Sequence, residues 1–260
     1  MKKYIVDLVV TENCRPHENY CLLKLTSEST LPEMLPGQFV QVRVDNSPTT
    51  FLRRPISINY VDRKNNELWL LIQLVGDGTR QLATLTKGSP VNIMLPLGNG
   101  FSMPEIASED QKILLIGGGV GTAPLLYMGA KLKEAGFTPE FLLGARSKDD
   151  VLQIEEFSAI GTVHVTTEDG SLGETGYVTN HSILSNIRFD RIYTCGPKSM
   201  MVAVARYAAR EDILCEVSLE NMMACGIGAC LCCVEKTEQG HVCVCTEGPV
   251  FNIKALTWQI

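Results

Sequence analysis

Residues 112–125 read Lys112-Ile113-Leu114-Leu115-Ile116-Gly117-Gly118-Gly119-Val120-Gly121-Thr122-Ala123-Pro124-Leu125, and an apolar, helix-compatible segment continues to Ala135. Four consecutive strand-type aliphatic residues feed a glycine-rich turn, and the turn opens a helix with Pro near its start. Such a junction leaves backbone N–H groups free where the helix dipole also favours an anion. Gly117, Gly118, Gly119, Gly121 and Thr122 are therefore candidate contacts for a dinucleotide pyrophosphate. The run is not the full G-x-G-x-x-G, although Gly117-x-Gly119 with Gly121 and Ala123 matches it in part, and a plain structural turn is the competing reading.

Toward the C-terminus the alternation continues. Strand-like Glu140–Leu143, a helical pattern over Asp150–Ala159, strands at Thr162–Thr166 and Arg191–Thr194, and a helix over Ser199–Arg210 predict a parallel sheet with helices on both faces. Toward the N-terminus the pattern changes to short β-runs: Tyr4–Val10, Tyr20–Leu25, Phe39–Val44, Ile56–Tyr60, Glu67–Val75 and Val91–Leu95. Turn pairs such as Pro36-Gly37, Asp77-Gly78 and Lys87-Gly88 separate them, with no convincing helix between. This predicts a small antiparallel barrel. The expected organisation is α/β plus all-β in three units: a barrel over 1–102, a parallel α/β domain over 103–215 and a small cysteine-rich module over 216–260.

Composition narrows the function. The 260 residues include 45% hydrophobic and 20% charged side chains, with a net charge of −6. No Lys/Arg block is present to displace counterions from phosphates, which argues against a nucleic-acid or anionic-membrane surface. No apolar run approaches the roughly 18 residues of a membrane-spanning helix. The start MKKYIVDLVV has a short apolar run broken by Asp7, unlike a secretory signal. A cytoplasmic location is expected, where dense cysteine points to metal rather than disulfides.

Six of the 10 cysteines fall between Cys225 and Cys245. The spacing Cys225-x4-Cys230-x2-Cys233, with Cys245 further on, is the plant-type arrangement for a 2Fe-2S cluster. Gly226 and Gly228 allow the tight bends that turn backbone N–H groups toward sulfur. Cys245 is preferred as fourth ligand because the turn Thr246-Glu247-Gly248-Pro249 follows it. Cys243, two residues away on what reads as the same strand, is the alternative. Structural zinc is the competing metal, but it favours two C-x2-C knuckles and only one is present.

In the barrel region, Arg53-Arg54-Pro55-Ile56-Ser57 sets cations and a hydroxyl at a strand start, a combination suited to a pyrophosphate beside a flat heterocycle. Arg-Pro at a strand start also has a purely structural reading. Cys195-Gly196-Pro197 follows a strand and opens a helix, and Cys195 reads equally as a buried thiol.

Taken in order, Pro36-Gly37-Gln38-Phe39, Arg54-Pro55-Ile56-Ser57, the Gly117–Pro124 loop and Cys195-Gly196-Pro197 resemble the signatures of the ferredoxin-NADP reductase superfamily. With Met223-Ala224-Cys225-Gly226-Ile227-Gly228-Ala229-Cys230 and Glu247-Gly248-Pro249-Val250-Phe251 added, the whole chain resembles the electron-transfer subunits of NAD-linked (class B) dihydroorotate dehydrogenases. The resemblance implies FAD on Arg54, Pro55, Ile56, Ser57, Leu71, Ile72 and Gln73, and on Gly78 and Thr79 of a small-residue turn. It implies NAD at the glycine loop with Cys195, Gly196 and Pro197 near the nicotinamide, and cluster ligands at Cys225, Cys230, Cys233 and Cys245. Gly144-Ala145-Arg146-Ser147 leaves NAD against NADP open. It further implies a partner, an FMN-containing dihydroorotate dehydrogenase catalytic subunit in a heterotetramer of two of each. Electrons would pass through 2Fe-2S and FAD to NAD+ in pyrimidine (UMP) biosynthesis. No substrate-oxidising constellation stands out in this chain, so no catalytic residue is named. Related FAD/2Fe-2S subunits of hydrogenases, sulfide or sulfite reductases and ferredoxin-NADP oxidoreductases are rivals within the class. A zinc-stabilised interaction module without electron transfer is the rival outside it.

Overall fold

The computed structural model describes residues 2–105 and 111–258. Residues 106–110, which the expected second unit includes, lie outside the described residues. The first unit contains β1 (Tyr4–His17), β2 (Tyr20–Thr26), β3 (Phe39–Val42), β4 (Arg54–Ser57), β5 (Tyr60–Asp62), β6 (Glu67–Gln73), helix α1 (Asp77–Leu82) and β7 (Pro90–Leu97). Every pairing is antiparallel, in the order β4-β3-β7-β1-β2-β6-β5, and β4 folds back against β6 to give the expected barrel shape. Alternation sets the core: Leu8 and Val10 of β1, Val40 and Val42 of β3, and Leu68, Leu70 and Ile72 of β6 point inward together.

Two details differ from expectation. The run Ile56–Tyr60 is divided between β4 and β5, because the chain changes partner there: β4 pairs with β3 and β5 with β6. Asp77-Gly78 is also not a turn: Gly78 and Thr79 lie within α1. A six-residue helix carrying glycine has little intrinsic propensity. It is held by the Thr79 hydroxyl, which accepts N–H bonds from Val75 and Gly76 at 3.1 Å each.

The second unit comprises β8 (Ile113–Gly118), α2 (Ala123–Glu134), β9 (Pro139–Ala145), α3 (Ile154–Ile160), β10 (Thr162–Thr167), β11 (Glu174–Thr175), α4 (Ile183–Asn186), β12 (Arg191–Cys195), α5 (Lys198–Arg210) and β13 (Leu214–Ser218). Its parallel sheet runs β11-β10-β9-β8-β12-β13. β8 is buried throughout, as a central strand covered on both faces must be. Ile113 and Leu115 pack with α2 residues Leu125, Met128 and Leu132. Leu114 and Ile116 face the other way, toward Met201, Val204 and Ala205 of α5.

The remaining elements are the hairpin β14 (Val234–Thr237) and β15 (Gly240–Cys243), the short helix α6 (Val244–Glu247) and β16 (Val250–Asn252). β16 pairs antiparallel with β13 and completes the edge of the parallel sheet. The boundary expected between 215 and 216 therefore cuts through β13, whose last three residues belong to that sheet. The strand was illegible because it is short and its exposed Leu214 and half-buried Glu216 interrupt the apolar run.

Barrel and α/β domain meet through polar pins within an apolar seam. Asn59 donates to the Ala123 carbonyl at 3.0 Å and exchanges amide hydrogen bonds with Gln153 at 2.9 and 3.1 Å. The buried Tyr127 hydroxyl donates to the Met34 carbonyl at 3.2 Å, and its ring meets Tyr60 edge-on.

Candidate functional site

The cysteine module is built on a loop whose backbone bends at Gly226 (φ 71°) and Gly228 (φ 83°), both in the left-handed region. These bends aim N–H groups at sulfur. Ile227 N–H donates to Cys225 Sγ at 3.4 Å, and Gly228 N–H donates to Cys245 Sγ at 3.1 Å. The Ile227 bond, first among the causes, pulls the Cys225 pKa down to about 6. Cys245 is fully buried, its pKa is raised by that burial, and its own N–H donates to Cys233 Sγ at 3.4 Å.

The thiols approach in pairs. Cys225 and Cys230 are within hydrogen-bond reach of one another, as are Cys233 and Cys245. Two pairs suit a two-iron cluster, in which each iron takes two thiolates. Among the described residues, no three His, Cys, Asp or Glu side chains converge to hold a single ion. Cys243 also reaches Cys233, but it ends β15 whereas Cys245 lies within α6, so the two do not share a strand as their spacing predicted.

The barrel face next to this loop carries a cleft of about 580 Å³, lined by Arg54, Pro55, Ile56, Ser57, Leu71, Ile72, Gln73 and Thr79. A second hollow of about 370 Å³ adjoins it across Arg54 and Thr79 and includes Gly78. All nine predicted flavin contacts thus come together. A Cβ on Gly78 would stand 3.2 Å from the Arg54 side chain, so glycine lets that arginine lie across α1. The Arg54 Nε donates to the Arg53 carbonyl at 3.1 Å, and its terminal amino groups have no partner among the described residues. Arg53 is the opposite case, bonded to the carbonyls of Gln41 and Asn92 at 3.2 and 3.0 Å and to Asn92 Oδ1. A free guanidinium beside an apolar slot fits a pyrophosphate joined to a flat ring.

A larger cleft of about 780 Å³ opens over the C-terminal ends of the parallel strands, the usual ligand position in such sheets. Gly118, Gly119, Gly121, Gly196 and Pro197 line it. At Gly119 (φ 55°) an added Cβ would meet nothing within 4 Å, so this backbone faces open space where a ligand can approach. At Gly121 a Cβ would stand 2.5 Å from Gly196 Cα, so here glycine serves the packing of two loops.

Three predicted residues do not line the cleft. Gly117 packs against Thr122 and Leu125, and the Thr122 hydroxyl donates to the Gly119 carbonyl at 3.0 Å. Cys195, expected at the nicotinamide, is fully buried beneath Gly196, and burial raises its pKa well above the thiol range. The competing reading of Cys195 as a strand-end core thiol is the one its position matches. Sequence reasoning missed Tyr177, Met200 and Glu220 as lining residues. Tyr177 and Met200 carry no motif. Glu220 follows the strand that was itself overlooked.

Gln73, Val120 and Glu220 line both this cleft and the barrel cleft. The barrel cleft reaches Met222, Met223, Ala224 and Cys232 at its other end. Glu220 stands in this shared mouth, solvent-accessible at its rim but enclosed enough that burial raises its carboxyl pKa.

Two binding clefts with a common wall, one in an antiparallel barrel and one at the strand ends of a parallel sheet, define an oxidoreductase of the ferredoxin reductase type. Residues 115–206 match the family model described as "Oxidoreductase NAD-binding domain", and residues 220–257 match "Iron-sulfur cluster binding domain of dihydroorotate dehydrogenase B". The chain is 42% identical to the "Dihydroorotate dehydrogenase B (NAD(+)), electron transfer subunit" of Lysinibacillus sphaericus, over 84% of this chain and 86% of that one. It is 36% identical to the protein of the same name from Fusobacterium nucleatum, over 95% and 96%. The chain belongs to the family of dihydroorotate dehydrogenase B (NAD+) electron transfer subunits. Among solved structures, that of an NADH-dependent reduced ferredoxin-NADP oxidoreductase, described for flavin-based electron bifurcation, superposes with a TM-score of 0.84. It is 29% identical and covers 96% of this chain and 90% of that one. An electron transfer subunit implies a catalytic partner subunit. Among the described residues no helix is long and apolar enough to cross a membrane.

Proposed function

We propose that this chain passes electrons from an FMN-containing dihydroorotate dehydrogenase subunit to NAD+ in the cytoplasm, as a step of pyrimidine (UMP) biosynthesis. Cys225, Cys230, Cys233 and Cys245 hold a 2Fe-2S cluster, the barrel holds FAD, and the glycine loop with Gly196 and Pro197 holds NAD. FAD supplies the exchange between one-electron and two-electron chemistry that an iron-sulfur centre and a nicotinamide cannot perform directly. The observation that carries this reading is the continuity of the sites: one cleft wall is shared by the barrel and the α/β domain, and the same barrel cleft ends at the cysteine loop.

The residues divide the work. Arg54 offers its guanidinium to the flavin pyrophosphate, and Pro55–Ser57 with Leu71–Gln73 form the slot for the ring. Asp150 and Glu168 share the nicotinamide cleft with Arg146, and their charge disfavours the extra phosphate of NADP. Cys245 is assigned over Cys243 because it is the buried thiol that receives the Gly228 N–H. Met222, Ile227 and Leu231, exposed by 84%, 46% and 65%, surround the cysteine loop with apolar surface suited to the catalytic subunit. A heterotetramer of two of each subunit is the expected assembly.

The test uses the purified chain with and without its partner. Flavin absorption, two irons and two sulfides per chain, and NADH-dependent reduction of an artificial acceptor are expected from the chain alone. Dihydroorotate-dependent NAD+ reduction is expected only after the catalytic subunit is added, in a complex whose mass corresponds to two of each. Dihydroorotate oxidation by the isolated chain, or a colourless zinc protein, overturns the proposal.

A further inference from the structure

Gln41 lies in β3, paired with Pro55 of β4 on one side and Met94 of β7 on the other. Its neighbours Val40 and Val42 point into the barrel core, so the two-residue period turns Gln41 outward together with Phe39. That outer face is not solvent. Phe39 belongs to the apolar cluster containing Cys233, Val244 and Cys245, and Met94 packs against the same cluster. Gln41 itself has no accessible surface.

Neither polar atom of the Gln41 side chain has a hydrogen-bond partner. An amide shut away in this manner is destabilising, and Leu or Met would fill the same space without the cost. The amide abuts the residue after the first cluster cysteine: a Cβ on Gly226 would stand 2.9 Å from Gln41 Cγ and 3.0 Å from its Nε2. Glycine at 226 thus serves two ends, adopting φ 71° and admitting the amide to the cysteine loop. Sulfide and thiolate are hydrogen-bond acceptors only, so the group such a site would draw from an amide is its NH2.

We propose that the Gln41 side-chain amide donates a hydrogen bond to sulfur of the iron-sulfur site, on its Cys225 side, and thereby raises the cluster's reduction potential. The inference rests on the assignment of these cysteines to a 2Fe-2S cluster. Reduction adds negative charge to the sulfurs, and a donor aimed at them stabilises the reduced state more than the oxidised one. Removing the donor shifts the balance toward the oxidised cluster.

The test is Gln41→Met, similar in length but without a donor, produced as the full chain in complex with the catalytic subunit. Iron and acid-labile sulfide are counted, and the cluster is titrated under electron paramagnetic resonance. The expected result is full cluster content with a potential lower by about 59 mV, a tenfold change in the one-electron equilibrium, while the flavin potentials stay in place. Full content with the wild-type potential overturns the proposal. A second measurement covers a variant that fails to fold. Wild-type complex is labelled with 15N only in glutamine side chains, and pulsed resonance of the reduced cluster is expected to show a 15N coupling. Absence of that coupling overturns the proposal as well. A wild-type complex without any 2Fe-2S signal defeats the cysteine assignment itself, a failure distinct from either Gln41 result.

Discussion

Arg53 and Arg54 are adjacent in the chain and opposite in circumstance. Arg53 is consumed by the carbonyls of Gln41 and Asn92, whereas Arg54 lines two adjoining hollows and its terminal amino groups have no partner among the described residues. Arg54→Ala is therefore expected to weaken flavin retention by tenfold to a hundredfold, about 1.5–3 kcal/mol for hydrogen bonds to a charged group, without lowering the melting temperature of flavin-stripped protein. Arg53→Ala is expected to do the reverse, costing about 1–3 kcal/mol of stability through the lost charge-assisted hydrogen bonds to Gln41 and Asn92. Flavin fluorescence after ultrafiltration and thermal melts of the stripped protein measure the two. The motif Arg54-Pro55-Ile56-Ser57 was legible because its chemistry lies in consecutive residues. Gln41 was not, since nothing local marks one glutamine in a strand as buried, unpaired and pressed against a glycine 185 positions further along.

At the scale of elements, α6 supports Cys245, which the sequence already preferred, over Cys243. Leaving β15 after Cys243 and turning into α6 carries Cys245 inward beside Cys233. Cys245→Ser is expected to abolish the 2Fe-2S spectrum, and Cys243→Ser to keep it with unchanged iron content. An intact spectrum in the first variant, or its loss in the second, would exchange the assignments. The start of α4 gives a pH prediction. His181 Nδ1 accepts the Ile183 N–H at 3.1 Å, and burial, which outweighs the nearby Glu174, lowers the ring's pKa below 6.5. The unfolded chain then binds the proton more readily than the folded one, so stability falls as pH drops from 6.5 through the lowered value. The protection of the Ile183 amide, its exchange rate taken relative to the intrinsic rate at each pH, should fall on acidification across this window, and His181→Asn, which can still accept that N–H, should remove the dependence. α5 was legible from its helical period, and α2, buried on nearly every face, from the glycine turn and Pro124 that open it. α1 and β16 were not, because a six-residue helix and a three-residue edge strand exist through tertiary partners rather than through their own sequence.

In the molecule as a whole, the order barrel, α/β domain, cysteine module was readable because the first two have different hydrophobic periods and the third is marked by its cysteine spacing. The seam between the first two was not, since Asn59 and Gln153 are unremarked polar residues until the fold brings them together. Asn59→Ala strands the Gln153 amide and is expected to cost about 1–3 kcal/mol, or roughly 2–4 °C of melting temperature per kcal/mol in a chain of this size. A calorimetric scan showing no loss would mean that the pins do not hold the domains. The third unit is joined differently, through β16, which follows α6 after only Gly248 and Pro249 and lies along β13. If the cysteine module loses its order, β13 is left with uncovered backbone donors and acceptors from Glu216 to Ser218, the stretch that β16 now pairs, and these form a short template for pairing with another chain. Oxidative destruction of the metal site would then cost the cell more than a broken relay. It would release a sheet margin able to pair with another chain, and light scattering is expected to rise as the cluster is oxidised away.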